Sequence, residues 1–157
     1  MANIRIYLLS FLCLSVGWAL LGSSAQTKVH PRVCVQESCV DVEIVSKPED
    51  MTRGLQGRTG LGSGRGMLFA FSADARYKFW MKDMKFALDI IWIDRTGRVV
   101  SVGPNLPACT ADPCLVYTPS AQARYVLEIP ASSAARYGFV EGAACAFKDL
   151  PKKFIVF

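Results

Sequence analysis

The sequence predicts a mainly β protein (α+β by element count), an antiparallel sandwich or small barrel of short strands with two short helices. Three observations lead there. Several short stretches alternate apolar and polar residues with period two, as in Val40-Asp41-Val42-Glu43-Ile44. Turn-forming residues punctuate the chain at close spacing. A composition of 52% hydrophobic and 20% charged residues describes a chain that buries a core and excludes a disordered one.

The elements follow in order. Met1 to Ala25 reads as a secretory signal: Arg5 supplies the positive end, Ile6 to Leu21 the apolar run, and Ser23 and Ala25 the small residues for cleavage before Gln26. The apolar run is short of the ~20 residues that span a bilayer, so no integral membrane span is expected after cleavage. An uncleaved anchor and a lipoprotein at Cys13 are the rivals. Residues 26–32 form a polar linker, and 33–157 a β-rich domain. Its length supports one core, not two.

Within that domain Val33 to Val40 reads as a hairpin with Gln36-Glu37 as its loop, setting Cys34 opposite Cys39 on the outer face. Ser46-Lys47-Pro48-Glu49 resembles a capping box, opening a helix that carries Met51 and Leu55 on one face and ends at Gly57. Gly60-Leu61-Gly62-Ser63-Gly64-Arg65-Gly66 is a connector rather than a phosphate loop. It lacks Gly-Lys-Ser/Thr, and a strand, Met67 to Phe71, follows it where a helix would be needed. Strands are expected at Tyr77 to Met81, Phe86 to Ile93 and Val99 to Val102, the last two joined by the turn Asp94-Arg95-Thr96-Gly97. A proline-marked loop spans Pro104 to Pro119. Tyr125, Leu127 and Ile129 alternate in a strand whose polar phase holds Arg124 and Glu128, so Glu128 is expected to be exposed or paired with Arg124. Ser132 or Ser133 is expected to cap a second helix stopping at Gly138. Short strands near Phe139-Val140, Ala143 to Phe147 and Phe154 to Phe157 close the chain.

Charge and cysteine content narrow the function classes. Eighteen Lys and Arg face 13 acidic residues with no polybasic run, so no nucleic-acid footprint is indicated. Export implies an oxidising, periplasmic or extracellular compartment, where two C-x₄-C spacings read as disulfides. The hairpin register brings Cys34 and Cys39 within bonding range, and Pro113 restricts the loop between Cys109 and Cys114. Zinc is the rival for the same four thiols, but the spacing is wide and no histidine assists. Neither metal nor cofactor is expected. Cys145 reads as a small core residue.

Several stretches in order resemble a known family. They are Thr52 to Arg58, Gly66 to Phe69, Phe79 to Asp83, Leu88 to Ile91 with Cys109 to Tyr117, and Tyr125 to Glu128 followed by Ala131 and Gly138. The family is the one catalogued as domain of unknown function 192, also uncharacterised protein family 0127. The resemblance covers about residues 40 to 147 and implies a β-rich, often exported domain with no established activity. Asp83 stands where the family usually has Asn, Gln56 where Met is common, Ala87 where Pro is common, and Gly142-Ala143 where Gly-Asp is usual.

A serine or cysteine hydrolase needs a base, and the sole histidine, His30, precedes the structured pattern. What remains is carboxylate, lysine and arginine chemistry around Trp80-Met81-Lys82-Asp83. Trp80 as an aromatic floor, with Lys82, Asp83 and Asp89 and with Arg53 or Arg58 as a carboxylate clamp, could grip a glycan or small polar ligand of the cell envelope. Alternatively Trp80 is core, Asp89 takes a salt bridge or turn N–H groups, and the arginines are solvated or structurally paired. Two function classes follow: a non-enzymatic ligand-binding or interaction module, and an envelope hydrolase using two of Asp83, Asp89 and Glu128 on a glycan. A purely structural role would follow from a buried Trp80 beside a large exposed apolar patch.

Overall fold

The computed structural model describes residues 29–154. The expected signal, Cys13 and the last three residues of the expected final strand lie outside the described residues. Strands β1 (Arg32–Val35) and β2 (Ser38–Val45) form the expected hairpin, with Cys34 opposite Cys39 and Val35 opposite Ser38. Gln36 takes a left-handed φ of 53° to close its two-residue loop. Helix α1 (Pro48–Arg53) leads to β3 (Arg65–Ala75), followed by β4 (Phe79–Trp80), β5 (Leu88–Ile93), β6 (Val99–Leu106), β7 (Val116–Tyr117), β8 (Ala123–Pro130) and β9 (Cys145–Lys148). A 3₁₀ turn covers Lys152–Phe154.

Seven strands make one sheet in the order β6-β5-β8-β3-β2-β1-β9, while β4 and β7 pair apart from it. The pairings are antiparallel except β2 with β3, which run parallel because α1 and the glycine-rich connector carry the chain back to the same end. The sheet curls into a half-barrel. The Tyr125 ring on β8 meets Phe147 on β9 at 4.7 Å although three strands lie between them, a contact possible only across a concave face. The two edges also touch: Arg98 bridges Ala144, with the Cys145 N–H donating to the Gly97 carbonyl at 2.7 Å. Gly97 is required there twice over. Its φ is +84°, and a Cβ would sit 2.7 Å from the Cys145 carbonyl oxygen.

Two cores result. The inner one, with Val33, Val42, Leu68, Ile91, Ile93, Leu127 and Phe139, fills the curl. The outer one, with Met67, Phe69, Ile90, Trp92 and Val126, lies on the opposite faces of β3, β5 and β8 beneath Leu55, Met81 and Met84. Apolar burial on both faces explains why β5 is a continuous apolar run broken only by Asp89.

Several boundaries differ from expectation. Ser46 makes no cap: Lys47 is the N-cap, without a side-chain bond, because Pro48 is pre-set for the first helical turn. The helix also stops at Gly54, three residues before Gly57, although Met51 and Leu55 do pack into the outer core. The second helix is instead a series of turns from Ala131 to Gly138. Ser132 holds a left-handed φ of 64°, and Asp89 takes the N–H groups that would start a helix. Cys34 is fully buried rather than on an outer face, since Cys39 and the neighbouring strand β9 cover it. Phe139-Val140 forms no strand although Phe139 is buried, β6 extends to Leu106, and β7 arises inside the expected proline-marked loop.

Candidate functional site

The outer core opens into a cleft of about 270 Å³ between the α1 region and the segment from Tyr77 to Lys82. Aromatic contacts fix one wall. Phe79 sits edge-on to Phe69 at 5.0 Å and to Trp92 at 6.2 Å, and Tyr77 stacks on Phe71 at 3.5 Å. The buried Trp92 indole N–H donates to the Tyr77 carbonyl at 2.8 Å, tying that segment to the sheet. Arg53, Gly54 and Gln56 supply the opposite wall.

Glu128 lines this cleft from β8. Expected to be exposed or paired with Arg124, it is instead only 5% exposed, and Arg124 pairs with Asp74 at 2.7 Å. The polar phase of β8 faces the second core: Glu128 stands opposite Met67 of β3 and Ile90 of β5, both buried there. Its Oε2 has no hydrogen-bond partner. Burial pushes its carboxyl up to about 8, so the group is largely a neutral acid at pH 7.

The sequence-singled residues divide. Arg53, Trp80 and Lys82 line the cleft together. Trp80 is 51% exposed, and the Lys82 ammonium lies 5.8 Å from its ring centroid while bonding Asp112 at 2.8 Å. Hydrogen bonding to Asp112 raises the Lys82 pKa. Arg53 pairs with Asp50 at 2.5 Å. Asp83, at φ 58° in a turn, lines an adjoining groove with Lys82, Lys85 and the 109–114 loop. Arg58 makes two 2.8 Å bonds to the Glu43 carboxylate, which lower the Glu43 pKa.

Asp89 lies elsewhere. It is 1% exposed and accepts four backbone N–H bonds, from Asn105 (2.7 Å), Ser132 (3.1 Å), Ser133 (2.8 Å) and Ala134 (2.7 Å). Alternation along β5 puts it on the opposite sheet face from Ile90, whereas Glu128 shares the outer face with Val126. The two buried acids therefore cannot act as a pair in one cleft.

Cys34 and Cys39, and Cys109 and Cys114, lie at disulfide distance, with Cα separations of 4.0 and 5.8 Å. Cys145 is free and packs against the inner core, where burial pushes its thiol up to about 12. Among the described residues no three His, Cys, Asp or Glu side chains gather to hold a metal ion, and no helix is long and apolar enough to cross a membrane.

The model of the family described as an uncharacterised ACR, domain of unknown function 192, matches residues 32–147. The chain belongs to this family. No curated protein sequence matches it. Two solved structures share the fold. A Sinorhizobium meliloti protein put forward as a transcription regulator is 25% identical with a TM-score of 0.67, covering 77% of this chain and 94% of its own. A Novosphingobium aromaticivorans protein of unknown function is 27% identical with a TM-score of 0.65, covering 75% and 84%. Gln56 lines the cleft and Asp83 the adjoining groove.

The sequence names Glu128 only as one of three candidate hydrolase carboxylates and does not show its burial or the aromatic walls. A signal for Glu128 was present. Val126 shares its strand phase, and the neighbouring strands Met67 to Phe71 and Leu88 to Ile93 are apolar on both phases. Strands buried on both faces have no solvent-facing polar phase.

Proposed function

We propose that this member of family 192 is an exported cell-envelope protein whose outer cleft binds a small polar ligand without transforming it. The mature chain would begin after a signal cleaved near Ala25 and consist of one β-rich domain. Two cysteine pairs at disulfide distance support an oxidising compartment. The observation that carries the binding reading is the half-exposed Trp80, beside Lys82 and Arg53, at a cleft lined by the unpartnered Glu128 carboxyl. A tryptophan kept for the core alone would be buried, and a buried acid without a partner needs a reason.

The division of Asp89 and Glu128 between sheet faces supports binding over carboxylate hydrolysis, which needs two acids flanking one bond. The test is calorimetry and intrinsic fluorescence against glycans and peptidoglycan fragments. The tryptophans after residue 25 are Trp80 and the buried Trp92, so a quench lost in Trp80→Ala reports the cleft. Saturable binding that requires Trp80 is expected. Silence across the panel with a folded Trp80→Ala control would refute the reading.

A further inference from the structure

Resting on the ligand-binding reading of the same cleft, we propose that its ligand is a small zwitterion, with a primary ammonium against Glu128 and a carboxylate at Arg53, Lys78 and Lys82. Three independent features of the cleft converge on that class. First, Glu128 lines the cleft and its buried Oε2 has no hydrogen-bond partner, so the carboxyl, once it gives up its proton, is an acceptor without a donor. Second, the walls beside it include the aromatic side chains of Phe69, Phe71, Tyr77 and Phe79, an apolar lining that accommodates a methylene stem. Third, the cationic side chains lining the cleft are Arg53, Lys78 and Lys82, which suit an anion. Arg53 and Lys82 are engaged by Asp50 and Asp112, whereas Lys78 shows no ion pair among the described residues.

The alternatives fit fewer of these features. A simple anion would meet the lysines but leave Glu128 unpaired. A simple amine would pair with Glu128 but meet only cations at the mouth. A neutral sugar uses neither charge. A volume of about 270 Å³ suits a molecule of amino-acid or dipeptide size.

Binding has a proton balance. The neutral Glu128 carboxyl releases its proton to solvent as the ammonium arrives, and no covalent bond changes apart from that O–H. Arg53, Tyr77, Lys78 and Lys82 are the other ionisable groups lining the cleft. The strand partners Met67 and Ile90 bring none, and Tyr77 is pushed above its ordinary range by burial. Affinity for the zwitterion therefore rises up to about tenfold per pH unit from 6 towards 8 and then levels.

The experiment titrates the purified protein with 4-aminobutyrate and 6-aminohexanoate, and with butylamine, butyrate and sucrose as matched controls. The Trp80 indole signal is followed by NMR, and calorimetry in two buffers of different ionisation enthalpy counts protons. The proposal expects one or both amino acids to bind at least about tenfold more tightly than butylamine or butyrate, with close to one proton released near pH 7. Glu128→Gln, checked for folding by circular dichroism, should lose that preference and its pH dependence. Lys78→Met should weaken the amino acids and leave butylamine unchanged. Butyrate or sucrose binding as tightly as the amino acids, or binding without proton release, would overturn the zwitterion while leaving the cleft a binding site. No shift from any probe up to about 10 mM would overturn both.

Discussion

The curled sheet buries two acids, one on each face, and they are treated in opposite ways. Asp89, beside the inner core, is surrounded by four backbone N–H donors that hold its carboxylate and fold the 131–138 turns onto the end of β5. Glu128, on the outer face, has an oxygen with no donor at all and a cleft in front of it. A satisfied buried acid shapes the chain around itself. An unsatisfied one destabilises the fold when it ionises, and its retention is explained by something that arrives from outside.

Removing the Asp89 carboxylate costs the most stability. Asp89→Ala deprives four N–H groups of their acceptor, two of them on the buried Ser133 and Ala134, so a loss of about 4 kcal/mol is expected in denaturant unfolding. Survival of the fold with a loss below about 1 kcal/mol would show that water replaces the carboxylate.

On the Glu128 side the change is linked to pH. The carboxyl's folded value of about 8 lies above its ordinary 4.5, so the folded state holds an extra proton between those values. Stability from this group is fully present below pH 4.5 and is lost as pH rises to about 8, with a drop on the order of 3 kcal/mol between pH 5 and 7.5. Glu128→Gln cannot ionise and should flatten this slope while matching the wild type near pH 4.5. Equal slopes in the two proteins would dissolve the contrast between the acids.

Gly66→Ala acts on the strand pair that carries Glu128 through its backbone. Its methyl would fall 2.8 Å from the Glu128 carbonyl oxygen and 2.9 Å from Ile129 Cγ2, so about 2 kcal/mol should be lost through disturbed packing of β3 on β8. The smallest effect belongs to Trp80→Ala. At 51% exposure the side chain contributes little to the fold, and a change within about 0.5 kcal/mol is expected, together with loss of ligand binding.

Much of this arrangement was legible before the fold was known. The β1–β2 hairpin, the cysteine spacings and the Asp94–Gly97 turn are local, and local rules placed them. The parallel pairing of β2 with β3 was not, because nothing within either strand states which neighbour it takes. The helix expected at 132–138 failed for a related reason. Asp89, more than forty residues earlier, accepts the N–H groups of Ser132, Ser133 and Ala134, and no local propensity can register that. At the site, residue type alone points to Trp80, Lys82 and Arg53, whereas an alternation rule puts Glu128 in solvent or in a pair with Arg124. That rule holds only for strands with one wet face.

The measurement that bears most directly on this account is the titration of the Glu128 carboxyl carbon by NMR in selectively labelled protein, with Glu128→Gln identifying the signal. An inflection near pH 8, well above the ordinary 4.5, is expected. An inflection near 4.5 would mean that the carboxylate is hydrated or paired in solution, and the functional reading of the cleft would lose its foundation.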